Sequence, residues 1–314
     1  MGLDMRTGSY GDSHVPPVSI GMPVYNGERF IREALDSLLS QTFTDFELII
    51  SDNASTDGTE AICREYAAKD HRIRYVRQPE NKGQATNFNF LLQQARGEYF
   101  MWAASDDWWD KEFIKTLLEA MLTNEKCAST FCPYVFTDEY GKLISTSRVF
   151  DYSGRTRISR LLKLCFYYND GFFYGLHKRQ LVEKVRVPTW WWVNSKTPMN
   201  TAYSVLFYFL SAGDFALAGS SPLWFKRLRV HTQCPHLISY VSQRENPFLA
   251  YFAFVLRKIN VLYESILSIH KGASSIIVVF VILPALIARF TYDCLQGARS
   301  YMRSALRLLA ISQK

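Results

Sequence analysis

The sequence predicts an α/β fold, a mostly parallel sheet with helices on both faces, followed by a helical extension that is basic and apolar. Three observations carry this. Short apolar runs alternate with helical stripes over the first 136 residues. The runs are apolar at successive positions, as strands buried on both faces are. The C-terminal third then changes character, gathering positive charge and long apolar stretches.

Met1–Pro17 is polar, lacks an apolar signal-peptide core, and reads as a flexible tail. Val18–Val24 reads as a buried strand. Arg29–Ser40 carries apolar residues at 30, 31, 34, 35, 38 and 39, a helix stripe. Phe46–Ser51 is the next strand. A helix runs from Asp57 through Ala68, with Asp57 as N-cap and Glu60 three residues on. Ile73–Arg77 is a third strand, and Ala85–Ala95 a helix closed by Gly97. Glu98–Ala104 is a strand, Asp110–Leu122 a helix and Ser129–Phe136 a strand. Beyond residue 136 the pattern loosens. Arg157–Tyr168 reads as a helix, Gly171–His177 as a strand, Thr201–Leu210 as a helix and Asp214–Phe225 as a strand or hairpin.

In parallel sheets ligands sit outside the carboxyl ends of the strands. Three polar loops follow apolar strands: Tyr25–Glu28, Asp52–Ser55 and Ser105–Asp107. They are expected to converge on one crevice. Adjacent carboxylates such as Asp106 and Asp107 raise one another's pKa unless a cation neutralises them. Oxygen ligands suit Mg²⁺ or Mn²⁺, which bind through one or two carboxylates plus substrate phosphates. The same acids also suit a second role, with Asp107 or Asp110 capping the helix through Leu122. Asp52 can accept a hydrogen bond from a base imide, or close an Asx turn in Ser-Asp-Asn-Ala-Ser. No Gly-x-Gly-x-x-Gly follows a strand, and neither a Walker A loop nor a Gly-x-Ser-x-Gly elbow is present.

The net charge of +7 is unevenly placed: residues 226–314 carry 12 Lys/Arg against 3 Asp/Glu, and residues 1–225 carry 24 against 26. Apolar segments beside this basic charge favour anionic lipid over nucleic acid as its partner. The six cysteines form no CxxC pair or zinc spacing, which fits reduced thiols in a cytoplasmic compartment.

Taken together, several motifs resemble the family 2 glycosyltransferases of GT-A fold. They are Ile20-Gly-Met-Pro-Val-Tyr-Asn-Gly-Glu28, the stretch Gln41–Thr59 with Ser51-Asp-Asn-Ala-Ser-Thr-Asp-Gly-Thr59, Asn81-Lys-Gly83, Asn87, Ala95-Arg-Gly-Glu-Tyr99 and Ser105-Asp-Asp107. The likeness covers residues 17–125, with weaker echoes in Gly175–Arg179 and Arg229-Val-His231. It implies inverting transfer of a sugar from a nucleoside diphosphate donor to an acceptor hydroxyl. It implies that Pro23, Tyr25, Glu28 and Asn87 line the nucleotide-sugar pocket, that Asp52 contacts the base, that Asp106 contacts ribose or metal, and that Asp107 ligates Mg²⁺ or Mn²⁺. His231 is implied near the diphosphate or metal; a surface histidine is the other reading. The family's acidic general base is missing, because Thr197–Ser204 holds no carboxylate. Asp170 is the substitute, although Asp-Gly also marks a plain turn; Asp214 is a poorer one.

Three segments are expected: a tail over 1–17, the GT-A domain over 18–235 and an extension over 236–314. Within the extension Pro247–Ile269 reads as a long helix. Residues 272–288 are 17 uncharged residues, at the lower limit for spanning a bilayer, and Arg299, Arg303 and Arg307 share a helix face. Basic flanks on both sides favour a peripheral or monotopic segment on the cytosolic face of a membrane, and a helical hairpin packed on the domain is the other reading. The expected acceptor is a lipid-linked or cell-surface glycan. A second function stays open, a non-catalytic sugar-nucleotide-binding or scaffolding subunit, because of the missing base.

Overall fold

The structure, a computed structural model, describes residues 14–147, 151–166, 170–184, 187, 202–228 and 284–292. In chain order the elements begin with β1 (Val18–Val24), α1 (Ile31–Leu39), β2 (Phe46–Asp52), α2 (Thr59–Lys69), β3 (Ile73–Arg77), α3 (Gln84–Gln94) and β4 (Tyr99–Trp102). There follow β5 (Trp108–Trp109), α4 (Phe113–Leu122), β6 (Cys127–Phe131), β7 (Tyr134–Thr137) and β8 (Leu143–Thr146). After α5 (Arg157–Phe166) come a 3-10 turn (Asp170–Tyr174), β9 (Leu176–Lys178), α6 (Arg179–Val182), α7 (Ala202–Ala212), β10 (Asp214–Leu217) and β11 (Trp224–Arg227).

Two sheets result, in the orders β10-β6-β9-β4-β1-β2-β3 and β5-β11-β7-β8. In the larger sheet β4, β1, β2 and β3 run parallel, with Val24 opposite Asp52 and Gly21 opposite Trp102. That register puts the carboxyl ends of β1, β2 and β4 side by side. The apolar runs work because both faces are covered. Leu48 and Ile50 of β2 and Met101 of β4 join α1, α2 and α4 in one core. Ile49, Phe100 and Trp102, one residue out of phase, join α3, α5 and α7 in the other. A short helix over 284–292 adds Ala285 and Leu286 to that second core.

Five expectations change. The tail expected over 1–17 is tied down from residue 14: His14 lies 2.8 Å from Asp45, and the Pro17 carbonyl accepts from Tyr99 N. The strand expected over Ser129–Phe136 is two strands in different sheets, broken at Pro133, which cannot donate to a ladder. Gly171–His177 is a 3-10 turn and then a short strand, inserted antiparallel between β4 and β6. Asp214–Phe225 is likewise two strands in separate sheets, not a hairpin. Gly97 does not close α3, which ends through Ala95 in extended conformation. Gly97 serves packing instead, since a Cβ there would lie 2.8 Å from the Pro17 carbonyl oxygen and 2.9 Å from Ser19 N.

Asp57, the expected N-cap of α2, stands one residue before the actual one. Gly58 occupies the N-cap of α2, and Asp57 Oδ1 accepts from Thr59 N at 3.1 Å. Of the extension, Pro247–Ile269, residues 272–283 and Arg299, Arg303 and Arg307 lie outside the described residues. Among the described residues, no helix is long and apolar enough to cross a membrane.

Candidate donor site at the carboxyl ends of the strands

The loops after β1 and β2 are stitched together. Asn26 N donates to Ser55 Oγ at 2.9 Å, and Thr56 N donates to Asn26 Oδ1 at 2.9 Å. Gly27 N donates to Thr59 Oγ1 at 2.8 Å, and Gly58 N to Glu28 Oε2 at 2.9 Å. Two residues here, Asn26 (φ 51°) and Ala54 (φ 60°), adopt the left-handed conformation that costs a residue with a Cβ. They are the only such non-glycine residues among those described, and both sit at this crevice. Gly27 draws in the third loop: a Cβ on it would lie 3.5 Å from Ser105 Oγ.

Asp52 ends β2 and is fully buried. Its Oδ1 accepts from Ser55 N at 2.8 Å, the Asx turn, and its Oδ2 accepts from the Tyr75 hydroxyl at 2.7 Å. Burial first, and then Asp52, raise the Tyr75 pKa, so the hydroxyl stays protonated and donating. Pro23 is half-buried, while Tyr25 and Glu28 are exposed beside Asp52 in this loop pair. Asn87 takes a different place. It is buried, its Nδ2 donates to the Ser51 carbonyl at 2.8 Å, and its Oδ1 accepts from Ser51 Oγ. It braces α3 against β2.

The two adjacent acids divide sharply. Asp106 is half-buried, whereas Asp107 is 3% exposed. Asp107 Oδ2 accepts from Trp224 Nε1 and its Oδ1 from Arg227 N, both at 2.9 Å. Asp107 therefore fastens β11, more than a hundred residues away, to the end of β4. Burial first, then the neighbouring Asp106, push the Asp107 carboxyl up. The Lys226 ammonium and the two N–H donors pull it back. Asp107 does not cap α4. Asp110 does not cap α4 either: Glu112 holds the N-cap position, and Asp110 Oδ1 accepts from Glu112 N at 2.9 Å in a turn just before the helix.

β11 contributes more than sequence reasoning found. The Arg227 guanidinium, 2% exposed, lies 4.3 Å from the Phe30 ring and 4.7 Å from the Trp108 ring. It pairs with Glu33 at 2.5 Å, while its Nε and Nη1 have no hydrogen-bond partner. The two aromatic faces supply the stabilisation that those N–H groups do not find. Trp224, Lys226, Arg227 and Tyr75 had no signal beyond membership of an apolar or mixed strand.

Asp170 opens the 3-10 turn. At the other end of that turn the Tyr174 ring lies 5.2 Å from the Trp224 ring, whose Nε1 holds Asp107. Asp214 is engaged with Arg160 at 2.7 Å, a structural ion pair. His231 and residues 197–201 lie outside the described residues. Among the described residues no three His, Cys, Asp or Glu side chains come together as a metal cage. The thiols of Cys63, Cys127 and Cys132 are free and buried.

A protein-family model described as "Glycosyl transferase family 2" matches residues 19–196. "Glycosyltransferase GlyA" of Streptococcus pneumoniae serotype 4 is 32% identical over 124 residues, which are 40% of this chain and 18% of that protein. "Putative teichuronic acid biosynthesis glycosyltransferase TuaG" of Bacillus subtilis is 39% identical over 119 residues, 38% of this chain and 47% of that one. The chain spans about half or less of the length of these curated relatives. Among solved structures, S. aureus TarS 1–349 in complex with UDP-GlcNAc superposes with a TM-score of 0.54 at 16% identity, covering 89% of this chain and 81% of that one. The mannosyltransferase PcManGT of Pyrobaculum calidifontis, in complex with GDP-Man and Mn²⁺, gives 0.54 at 17% identity, covering 96% and 80%. At such identities the likeness establishes a shared GT-A fold.

Proposed function

The chain belongs to glycosyl transferase family 2, and from that premise we propose that it moves a sugar from a nucleoside diphosphate donor to an acceptor hydroxyl with inversion. The observation that carries the proposal is the convergence of Asp52, the braced loops after β1 and β2, and Asp106 on one strand-end crevice. The sugar nucleotides named with TarS and PcManGT support the donor class.

In this reading the base lies at Asp52 beside Tyr25 and Pro23, and the diphosphate lies at Asp106. Asp106 faces the donor, and Asp107 braces the strand behind it. The residues fit a hard divalent cation, Mg²⁺ or Mn²⁺, held by the Asp106 carboxylate and the donor's own phosphates. Asp106 stands half-buried at the strand end beside a second carboxyl, an oxygen donor set of the kind such an ion takes. When bound, such an ion supplies charge neutralisation to the departing diphosphate.

The acceptor oxygen attacks the anomeric carbon as the bond to the diphosphate oxygen breaks, and the electron pair leaves with the diphosphate. The acceptor's proton passes to a base on the acceptor side. Asp170 is assigned that role, because the turn it opens packs through Tyr174 beside the clamped Trp224. His231 is assigned to the diphosphate. The acceptor is assigned as a lipid-linked or surface glycan, with residues 236–314 on the cytosolic face of a membrane, held to the domain where Ala285 and Leu286 enter its core. The basic charge of the C-terminal third supports this.

One specific observation favours a second reading, sugar-nucleotide binding without transfer: Thr197–Ser204 contains no carboxylate. Donor hydrolysis across UDP- and GDP-sugars, with and without Mn²⁺, separates the two. Turnover that vanishes in Asp106→Asn is expected. Binding without turnover for every donor and acceptor establishes the second reading, and no binding at all refutes both. Intact chain is expected to pellet with membranes and to be released by detergent better than by salt; full recovery in the supernatant refutes the membrane assignment.

A further inference from the structure

Lys226 lies outside the motifs of the family likeness, yet it sits beside the paired acids. Its strand is held on both sides of it by Asp107, through Trp224 Nε1 and through Arg227 N. Side chains alternate along a strand, so Lys226 shares a face with Trp224 while Arg227 turns the other way, toward Phe30 and Trp108. The Lys226 ammonium lies 5.7 Å from the Trp224 ring, 5.9 Å from that of Tyr174 and 5.9 Å from that of Phe136. Three aromatic faces thus fix the position of one positive charge.

That position has a direction within the site. Asp52 and the base lie at the end of β2 and Asp106 follows β4, one strand beyond β1. Lys226 lies farther along the same line, in the second sheet, next to the turn Asp170–Tyr174. A donor stretched from Asp52 past Asp106 brings its outer phosphate toward Lys226, and the sugar toward the turn. An ammonium is a compact point charge well suited to a phosphate oxygen.

Resting on the donor reading above, we propose that Lys226 is a donor-binding residue that contacts the outer, β-phosphate of the nucleoside diphosphate. It stabilises the charge left there when the sugar departs. The aromatic setting makes this charge a fixed part of the protein, present whether or not a metal is bound.

Titration calorimetry on the full chain with Mn²⁺ tests this, using UDP, GDP, UMP and GMP as probes. In Lys226→Met the affinity for the preferred diphosphate is expected to fall roughly tenfold, the loss of one charge-assisted contact. The matching monophosphate, which lacks the outer phosphate, is expected to change by less than about threefold. Its retained binding also shows that the variant is folded. Unchanged diphosphate affinity overturns the proposal, and so does an equal loss for both nucleotides, which marks a purely structural lysine. Wild-type chain that binds neither diphosphate overturns the donor reading and this inference together, whereas normal wild-type binding with either of the first two results overturns this inference alone.

Discussion

Replacing each of the two adjacent acids in turn separates bracing from ligand contact. Asp107 accepts two hydrogen bonds of 2.9 Å and is almost wholly buried. Asp107→Ala removes both and leaves Trp224 Nε1 and Arg227 N without an acceptor. Each bond to a charged group contributes about 1.5–3 kcal/mol, and each orphaned buried donor costs about 1–3 kcal/mol. These ranges describe overlapping losses. The change also relieves a carboxyl whose charged form is disfavoured by burial and by Asp106. The net expectation is a loss of about 2–4 kcal/mol, a large share of a typical domain's roughly 5–15 kcal/mol. Asp106→Asn keeps the shape of a half-buried side chain and is expected to cost less than about 1 kcal/mol. It removes the negative charge proposed to face the donor, so nucleotide binding in the presence of Mn²⁺ is expected to fail. Urea denaturation at pH 7 reads the first quantity and calorimetry the second. An Asp107→Ala chain with the wild-type urea midpoint and slope refutes the clamp argument. An Asp106→Asn chain that binds nucleotide normally refutes the division of roles.

Two further predictions concern the scaffold. His177 is fully buried, its Nε2 donating to the Phe173 carbonyl and its Nδ1 accepting from Ser129, and burial lowers its pKa to about 4. The unfolded chain takes up that proton near pH 6.5, so this stability is present above pH 6.5 and lost as pH falls toward 4. Wild-type chain should lose about 3 kcal/mol more than His177→Phe between pH 7 and 4 in denaturant titrations, and parallel pH profiles would count against it. Gly97→Ala drives a Cβ against the backbone of Pro17 and Ser19 and should cost about 1–3 kcal/mol; a melting temperature equal to wild type would show that the strand can yield there.

The amino-terminal half was legible because its central strands, β1, β2 and β4, are buried on both faces. Continuous apolar runs such as Val18–Val24 announce themselves, and each is followed by a helical stripe. The later strands are short, and β9 enters the sheet against its neighbours' direction, so no local period marks them. Pro133 was a visible signal that the strand could not continue, but not that the chain would change sheets. At the site, Asp52 and Asp106 were readable as acids at strand ends. The partners of Asp107 were not, since a buried carboxylate 117 residues from its indole donor leaves no mark in spacing. Asn87 carries a role that its motif position did not announce, an amide that ties α3 to Ser51.

Buried anchoring and backbone strain at the crevice have one physical purpose. Asn26 and Ala54 hold left-handed conformations that cost about 1 kcal/mol or more each. Relaxed loops would not retain them. Here four cross-loop hydrogen bonds, from Asn26, Thr56, Gly27 and Gly58, over-determine the backbone, and Asp52 closes the second loop from inside. Asp107 does the same for the third loop by tying it to β11. Rigid loops lose little freedom when a ligand arrives, so more of the interaction energy becomes affinity. The same need for rigidity accounts for the loss of one acid of the pair to the interior. An acid free to follow either a cation or a neighbouring strand orients neither. With Asp107 committed to β11, the strand that carries Lys226 and Arg227 is locked to the strand end that carries Asp106. The groups proposed to face the donor, drawn from two separate sheets, then keep one geometry.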